Sequence, residues 1–230
     1  MRLDLLSSLN AERAARRAAI VVTNMGDGRQ RLVRERDIGS DALADVLAAQ
    51  LQAGKSARIE SMGQEYFVEL HVPAAVMVIA GAVHVSQILA PVARMLDYRV
   101  AIVDPRTAFA TAERFPGIRL LAEWPDQAMP KLKLDRWTAF VALTHDPRID
   151  DPALAAALAA GCFYVGALGS RKTHAERTKR LAASGLSADA LARIHAPVGL
   201  AVGAATPGEI AIAIMAEITL RRRLGPEARP

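Results

Sequence analysis

At 230 residues, with 52% apolar and 23% charged side chains, the chain has a globular composition and length for one large domain or two small ones. No apolar run approaches the roughly 18 residues that span a bilayer, and Met1-Arg2-Leu3-Asp4 lacks the apolar stretch of a secretory leader, so a cytoplasmic location without membrane insertion is expected. A single cysteine, Cys162, excludes an intrachain disulfide, and a net charge of +5 with only 4% aromatic residues favours a small anionic ligand over nucleic acid.

A short helical start leads into the β-branched run Ala18–Thr23, the turn Asn24-Met25-Gly26-Asp27-Gly28, and Arg31–Glu35, which together predict a hairpin. Ser40 precedes a helical pattern through Gln52, with Leu43, Val46, Leu47 and Leu51 on one face, and Gly54 ends it. Two more strands are predicted, Ala57–Ser61 and Glu65–Val72. Residues 1–73 therefore read as a small α+β domain, mostly antiparallel, with no chemistry of its own.

Beyond Pro73 apolar strands alternate with amphipathic helices, the pattern of a Rossmann-like, mostly parallel sheet covered on both faces. The predicted strands are Val76–Ala80, Arg99–Val103, Ile118–Leu121, Thr138–Leu143, Cys162–Val165 and Val198–Val202. Helices are predicted over about His84–Leu96, from Asp151-Pro152 onward, and over Arg171–Ala183 and Ala188–Ile194. A capping box at Thr206-Pro207-Gly208-Glu209 opens the last helix, which ends near Arg223. Residues 74–224 form this second domain, and 225–230 read as a frayed tail.

The unusual polar residues fall just after strands, where open parallel sheets bind ligands. Gly81 and His84 follow the first strand, Asp104 and Arg106 the second, and Thr144, His145 and Asp146 the fourth. Gly166, Gly169, Ser170, Arg171 and Lys172 follow the Cys162–Val165 strand. The first turn is half of a Gly-x-Gly-x-x-Gly fingerprint, because Val83 and Ser86 stand at its second and third glycine positions. Asp104 lies 23 residues after Gly81, where an acidic residue would hold a ribose hydroxyl; the alternatives are a plain tight turn for Gly81 and a pre-proline turn residue for Asp104.

Arg171 and Lys172 open a helix whose N-terminus already carries partial positive charge, so a docked anion would reverse an unfavourable local field. Solvated cations are the competing reading. His145 and Asp146 are candidate acid–base residues, against a structural histidine as the alternative. The five histidines fall without metal-ligand spacing and no Cys-x-x-Cys occurs, so no resident metal site is expected. Cys162 lies in a buried-looking strand and is expected to pack rather than react.

Read in order, these segments resemble the xanthine dehydrogenase accessory factor family, also called XdhC/CoxI. The stretches that carry the resemblance include Gly81-Ala82-Val83-His84-Val85, Val103-Asp104-Pro105-Arg106, Leu143-Thr144-His145-Asp146 and Gly166-Ala167-Leu168-Gly169-Ser170-Arg171-Lys172-Thr173-His174. They continue with Arg193-Ile194-His195-Ala196-Pro197-Val198-Gly199-Leu200 and Thr206-Pro207-Gly208-Glu209-Ile210-Ala211, over about residues 76 to 220.

The resemblance implies a maturation factor for a molybdenum hydroxylase of the xanthine or CO dehydrogenase type. Such a factor binds molybdenum cofactor (the molybdopterin form), works with a cysteine desulfurase, and hands the cofactor to the apo-enzyme. Gly169, Ser170, Arg171 and Lys172 would then hold phosphate, Asp104 and Arg106 would contact the ribose or pterin edge, and His145 and Asp146 would face the reacting end. Two departures stand out: Val83 replaces the second glycine of the family's Gly-x-Gly-His turn, and the N-terminal region has no Gly-Gly-Cys-Val-Glu segment. The rival readings are an NAD(P)-dependent oxidoreductase with His145 as acid, and a homodimeric interaction scaffold. The scaffold would use Ile210, Ile214, Glu217 and Ile218 of the last helix as its interface, unless that face packs on the sheet.

Overall fold

The computed structural model describes residues 2–225; 226–230, most of the expected tail, lie outside the described residues. The chain divides into two compact units between Pro73 and Ala74.

In the first unit, helix α1 (Leu3–Ala14) precedes strands β1 (Ala19–Asn24) and β2 (Gln30–Arg34), a 3-10 turn, helix α2 (Ala44–Ala53), and strands β3 (Ala57–Ser61) and β4 (Gln64–His71). The four strands form an antiparallel sheet in the order β2-β1-β4-β3. Alternate β1 residues serve two faces: Ile20 and Val22 pack with Leu43 and Leu47 near α2, while Ala19 and Val21 pack with Leu5 and Leu9 of α1. Glu12 of α1 is buried, yet it receives Arg17 at 2.5 Å and Arg34 at 3.0 Å, so its charge is compensated.

The second unit contains β5 (Val76–Ala80), α3 (His84–Met95), β6 (Arg99–Val103), β7 (Arg119–Leu121), α4 (Pro125–Leu132), β8 (Thr138–Ala142) and α5 (Pro147–Ala159). It continues with β9 (Tyr164–Ala167), α6 (Arg171–Ala183), α7 (Ala188–Ala192), β10 (Ile194–His195) and α8 (Pro207–Leu224). The sheet is wholly parallel, in the order β10-β9-β8-β5-β6-β7. Chain order thus runs outward from β5 in one direction and then from β8 in the other, the Rossmann arrangement with its reversal between β5 and β8.

Period-2 alternation sends Met77, Ile79, Ile102 and Val141 to one face, under α3 and α8, and Val78, Val103, Phe140 and Val165 to the other, under α4 and α5. Ile214 and Ile218 of α8 are fully buried in the first of these cores. That apolar face therefore packs on the sheet and cannot also be a dimer surface.

Three local readings change. Helix α5 begins at Pro147 with Asp146 as its N-cap, accepting a 2.9 Å hydrogen bond from Arg148 N–H. The Asx-Pro start chemistry is the one expected at Asp151-Pro152, satisfied instead at the strand end. Pro152 is accommodated in the second turn, at the expense of one helical hydrogen bond. The last strand is Ile194–His195, while 198–202 is a loop: Gly199 has φ +94°, and a Cβ there would lie 3.0 Å from the α8 backbone. Helix α4 carries prolines at both ends, which obscure it in the sequence. The capping box at Thr206 and Glu209 is formed as expected.

Candidate functional site

The carboxyl ends of β5 and β8 meet at the point where strand order reverses. Gly81 sits there with φ +119°, and a Cβ on it would lie 2.7 Å from Thr144 Cγ2. The glycine is therefore needed by the close approach of two turns, as well as by its own backbone angle. Val83 is the N-cap of α3 and supplies no side-chain cap, so the first N–H groups of α3 have no side-chain acceptor there. His84 follows and is exposed.

Asp104, at the end of β6, is fully buried and accepts four hydrogen bonds: from Ala82 N–H at 2.8 Å, from Arg106 N–H at 3.0 Å, and from Arg106 Nε and Nη2 at 2.9 and 2.7 Å. Burial alone would raise its pKa, but the Arg106 guanidinium and the two backbone donors hold it below the ordinary carboxylate value. Four bonds fill the acceptor capacity of a carboxylate. Asp104 thus ties the β6 turn to the Gly81 turn. Arg106 lies over the Phe109 ring at 4.7 Å with its side chain about a third exposed. Arg114 binds the carbonyls of Ala82 (2.9 Å) and Phe109 (2.7 Å), fastening the intervening loop to the same place.

After β8, Asp150 of α5 gathers the Thr144 hydroxyl at 2.7 Å and the Thr144 and His145 N–H groups at 3.3 and 3.0 Å. Its burial pushes its pKa up despite these donors and nearby Arg177. This backbone capture holds His145 at φ +66°, a left-handed geometry uncommon outside glycine, and leaves its ring exposed. Asp146 caps α5 and pairs with Arg148 at 2.8 Å, and that side-chain hydrogen bond lowers its pKa. His145 and Asp146 are neighbours in sequence, but the hydrogen bonds of Asp146 go to Arg148 and not to the imidazole.

At the start of α6, Ser170 caps the helix by accepting Thr173 N–H at 3.2 Å. Gly169 has φ +130°, and a Cβ there would press on Thr173. Arg171 and Lys172 are exposed and make no ion pair among the described residues. Gly166 makes room for something other than a ligand, since a Cβ would lie 2.5 Å from Val198 and 2.8 Å from the Tyr164 ring.

A cluster that sequence reasoning did not assemble, although it offered Glu217 as an interface residue, lies beside Gly166. Glu217 of α8 accepts from Tyr164 Oη at 2.5 Å, from His195 Nδ1 at 2.9 Å and from Gly199 N–H at 2.8 Å. His195 also stacks on Tyr164, with ring centroids 4.7 Å apart. The three residues are far apart in sequence and none lies in a nucleotide-binding pattern; only the chain reversal brings them together. Arg114 and Arg177 were missed for the same reason.

The strand order and the polar carboxyl edge define a Rossmann-type α/β unit of the kind that binds nucleotides or related phosphorylated compounds. The chain belongs to the XdhC family: the XdhC Rossmann domain matches residues 77–218, more than half of it. It is 31% identical over 158 residues to a probable xanthine dehydrogenase subunit of Bacillus subtilis strain 168, covering 68% of this chain and 46% of that protein. It is 32% identical over 128 residues to the molybdenum cofactor insertion chaperone PaoD of Escherichia coli K12, covering 56% of this chain and 40% of that one. The uncharacterized protein YqeB of the same organism is 32% identical over 154 residues, 66% of this chain and 28% of its own length. The chain thus spans less than half of each of these relatives. The crystal structure of a xanthine dehydrogenase from Bacillus halodurans matches with a TM-score of 0.67 at 20% identity, over 98% of this chain and 66% of that one, and shows the same fold. Among the described residues, no helix is long and apolar enough to cross a membrane.

Proposed function

We propose that the protein is an accessory factor for a molybdenum hydroxylase, binding molybdenum cofactor or a related phosphorylated nucleotide and passing it to the apo-enzyme. The observation that carries this reading is the pair of unneutralised cations, Arg171 and Lys172, in the first turn of α6 at the carboxyl edge of a Rossmann sheet. That edge offers helix N–H groups and cations, a donor set suited to phosphate. The names of the Escherichia coli and Bacillus subtilis relatives support the choice of cofactor and client.

Gly169 N–H, Ser170 and Lys172 would hold the phosphate end, with Arg106 and His145 facing the remainder of the ligand. When bound, the cofactor would supply the molybdenum chemistry to the client, and the residues here would bind and orient its organic part. Among the described residues, no group of three or more His, Cys, Asp or Glu side chains is placed to hold a metal ion. The occupied carboxylate of Asp104 gives the NAD(P) reading no free ribose acceptor at that position.

The test is to mix the purified chain with molybdopterin cofactor, remove unbound ligand, and measure the fluorescence of oxidised pterin released on denaturation. Retention at micromolar cofactor, together with faster activation of an apo-hydroxylase, is expected. Saturable binding of NAD or NADP with no pterin retained would replace this reading with the oxidoreductase.

A further inference from the structure

Among the described residues, Arg177 is the largest fully buried side chain, with 1% of its surface exposed. Its Nη2 donates to the Leu168 carbonyl at 2.9 Å and lies 3.7 Å from Asp150. Its Nε and Nη1 have no hydrogen-bond partner and no contact with solvent. Buried N–H groups of a charged side chain are rarely left this way, because each forgoes hydration without replacement. The nearby Asp150 carboxylate does not answer this, being already engaged by Thr144 and by His145 N–H.

Arg177 is also one of the residues that line a cleft of about 270 Å³ between the N-terminal halves of α5 and α6. His145, Pro147 and Asp150 form one side, and Lys172, Thr173, Glu176 and Arg180 lie along the other, the Glu176 carboxylate being paired with Lys179 at 3.4 Å. Both helices are 13 residues long, and their N-termini open at this end of the sheet. Arg180 is paired with Asp151 at 2.7 Å, whereas Lys172 is exposed with no ion pair among the described residues. A tetrahedral oxyanion of phosphate size is well within this volume.

We infer that this cleft is an oxyanion site for a phosphate group, with Arg177 as the buried counter-charge and Lys172 as the mobile clamp. It deepens the reading of the α6 start as anion-facing, on which it rests, and moves the principal cation from the exposed Arg171 to the buried Arg177. The phosphate is that of free inorganic phosphate or of a phosphomonoester on a larger cofactor, and the two share this chemistry.

Titration of the full chain with inorganic phosphate, followed by calorimetry and by ³¹P line broadening, tests the site directly. Saturable binding is expected, weakened about tenfold by Lys172→Ala and by Thr173→Val together, and about tenfold or more by Arg177→Met. Arg177→Lys restores part of the loss. Thr173→Val with Lys172→Ala leaves the buried guanidinium in place, so it reads the site even where Arg177→Met does not fold. No saturation by about 10 mM phosphate overturns the proposal, as does unchanged affinity in the Lys172 and Thr173 variant. Phosphomonoester and pterin-cofactor arms separate the sources. Cofactor retained equally by wild type and Arg177→Lys, with no phosphate binding by either, removes the cleft while leaving the accessory reading standing. Phosphate bound with no pterin cofactor retained does the reverse.

Discussion

Glu217 holds His195 through a 2.9 Å hydrogen bond from Nδ1, although the two residues lie on different elements, α8 and the edge strand β10. The carboxylate is ionised, because the His195, Tyr164 and Gly199 donors outweigh the burial that would raise its pKa and bring it below the ordinary value. Nδ1 is therefore the nitrogen that donates to Glu217. Glu217→Ala would leave three donors facing a void, Tyr164 among them with its hydroxyl buried. A loss of about 3 kcal/mol is expected in urea denaturation, with a smaller loss for Glu217→Gln. A change under about 0.5 kcal/mol for Glu217→Ala would show that the clip contributes nothing to folding. In the wild type, ¹⁵N shifts of His195 should report a hydrogen-bonded Nδ1–H.

The acid limb of stability follows from three carboxylates with different signs. The pKa values of Glu217 and Asp104 are held below their ordinary values of 4.5 and 3.8, so their contributions are complete above those values and vanish as pH falls below them. Asp150 is shifted upward from 3.8, so its protonated form is the one favoured by folding, and its ionisation weakens the fold as pH rises through the shifted value. Denaturation midpoints between about pH 3 and pH 6 should therefore fall less steeply with acid in Glu217→Gln than in the wild type. They should fall more steeply in Asp150→Asn. Parallel curves for all three proteins would contradict the assignment.

Much of this is legible in the sequence, and the exceptions have a common cause. The alternation of apolar runs with helical patterns places every long strand of the sheet, and Asp104 falls directly after β6, where a ribose or pterin contact is expected of it. Its engagement by Arg106 is not visible there, since nothing in Asp104-Pro105-Arg106 says that the guanidinium folds back two residues to its neighbour. Gly166 looks like room for a ligand, whereas the space is filled by Tyr164 and Val198, a contact made across 32 residues of chain. Sequence patterns report a residue's own backbone and its burial. They do not report which distant side chain arrives to use the space.

Gly81 tests the turn at the reversal point. Alanine there must adopt φ near +119° and place its Cβ within 2.7 Å of Thr144 Cγ2, and Thr144 is itself held by Asp150. Gly81→Ala should lower stability by about 2–4 kcal/mol, from strain and steric displacement together. Combining it with Thr144→Ser, which removes the offending methyl but keeps the hydroxyl, should recover part of that loss. The recovery, read as a double-mutant cycle in urea, distinguishes the clash from the backbone strain that Thr144→Ser cannot relieve.

Cys162 bears on where any sulfur is handled. It is the chain's one cysteine and is fully buried, and burial pushes its thiol up to about 12, with Asp135 adding to the shift and Arg193 opposing it. The thiolate is the nucleophile and the sulfur acceptor, so at about pH 8 the folded chain presents almost none of it. Iodoacetamide should therefore label the native protein far more slowly than the urea-unfolded chain, with labelling appearing over the unfolding transition. Cys162→Ala should cost about 1 kcal/mol as a small cavity and leave pterin retention and client activation unchanged. Rapid labelling of the native chain, or loss of client activation in a folded Cys162→Ala variant, would instead place sulfur chemistry on this side chain.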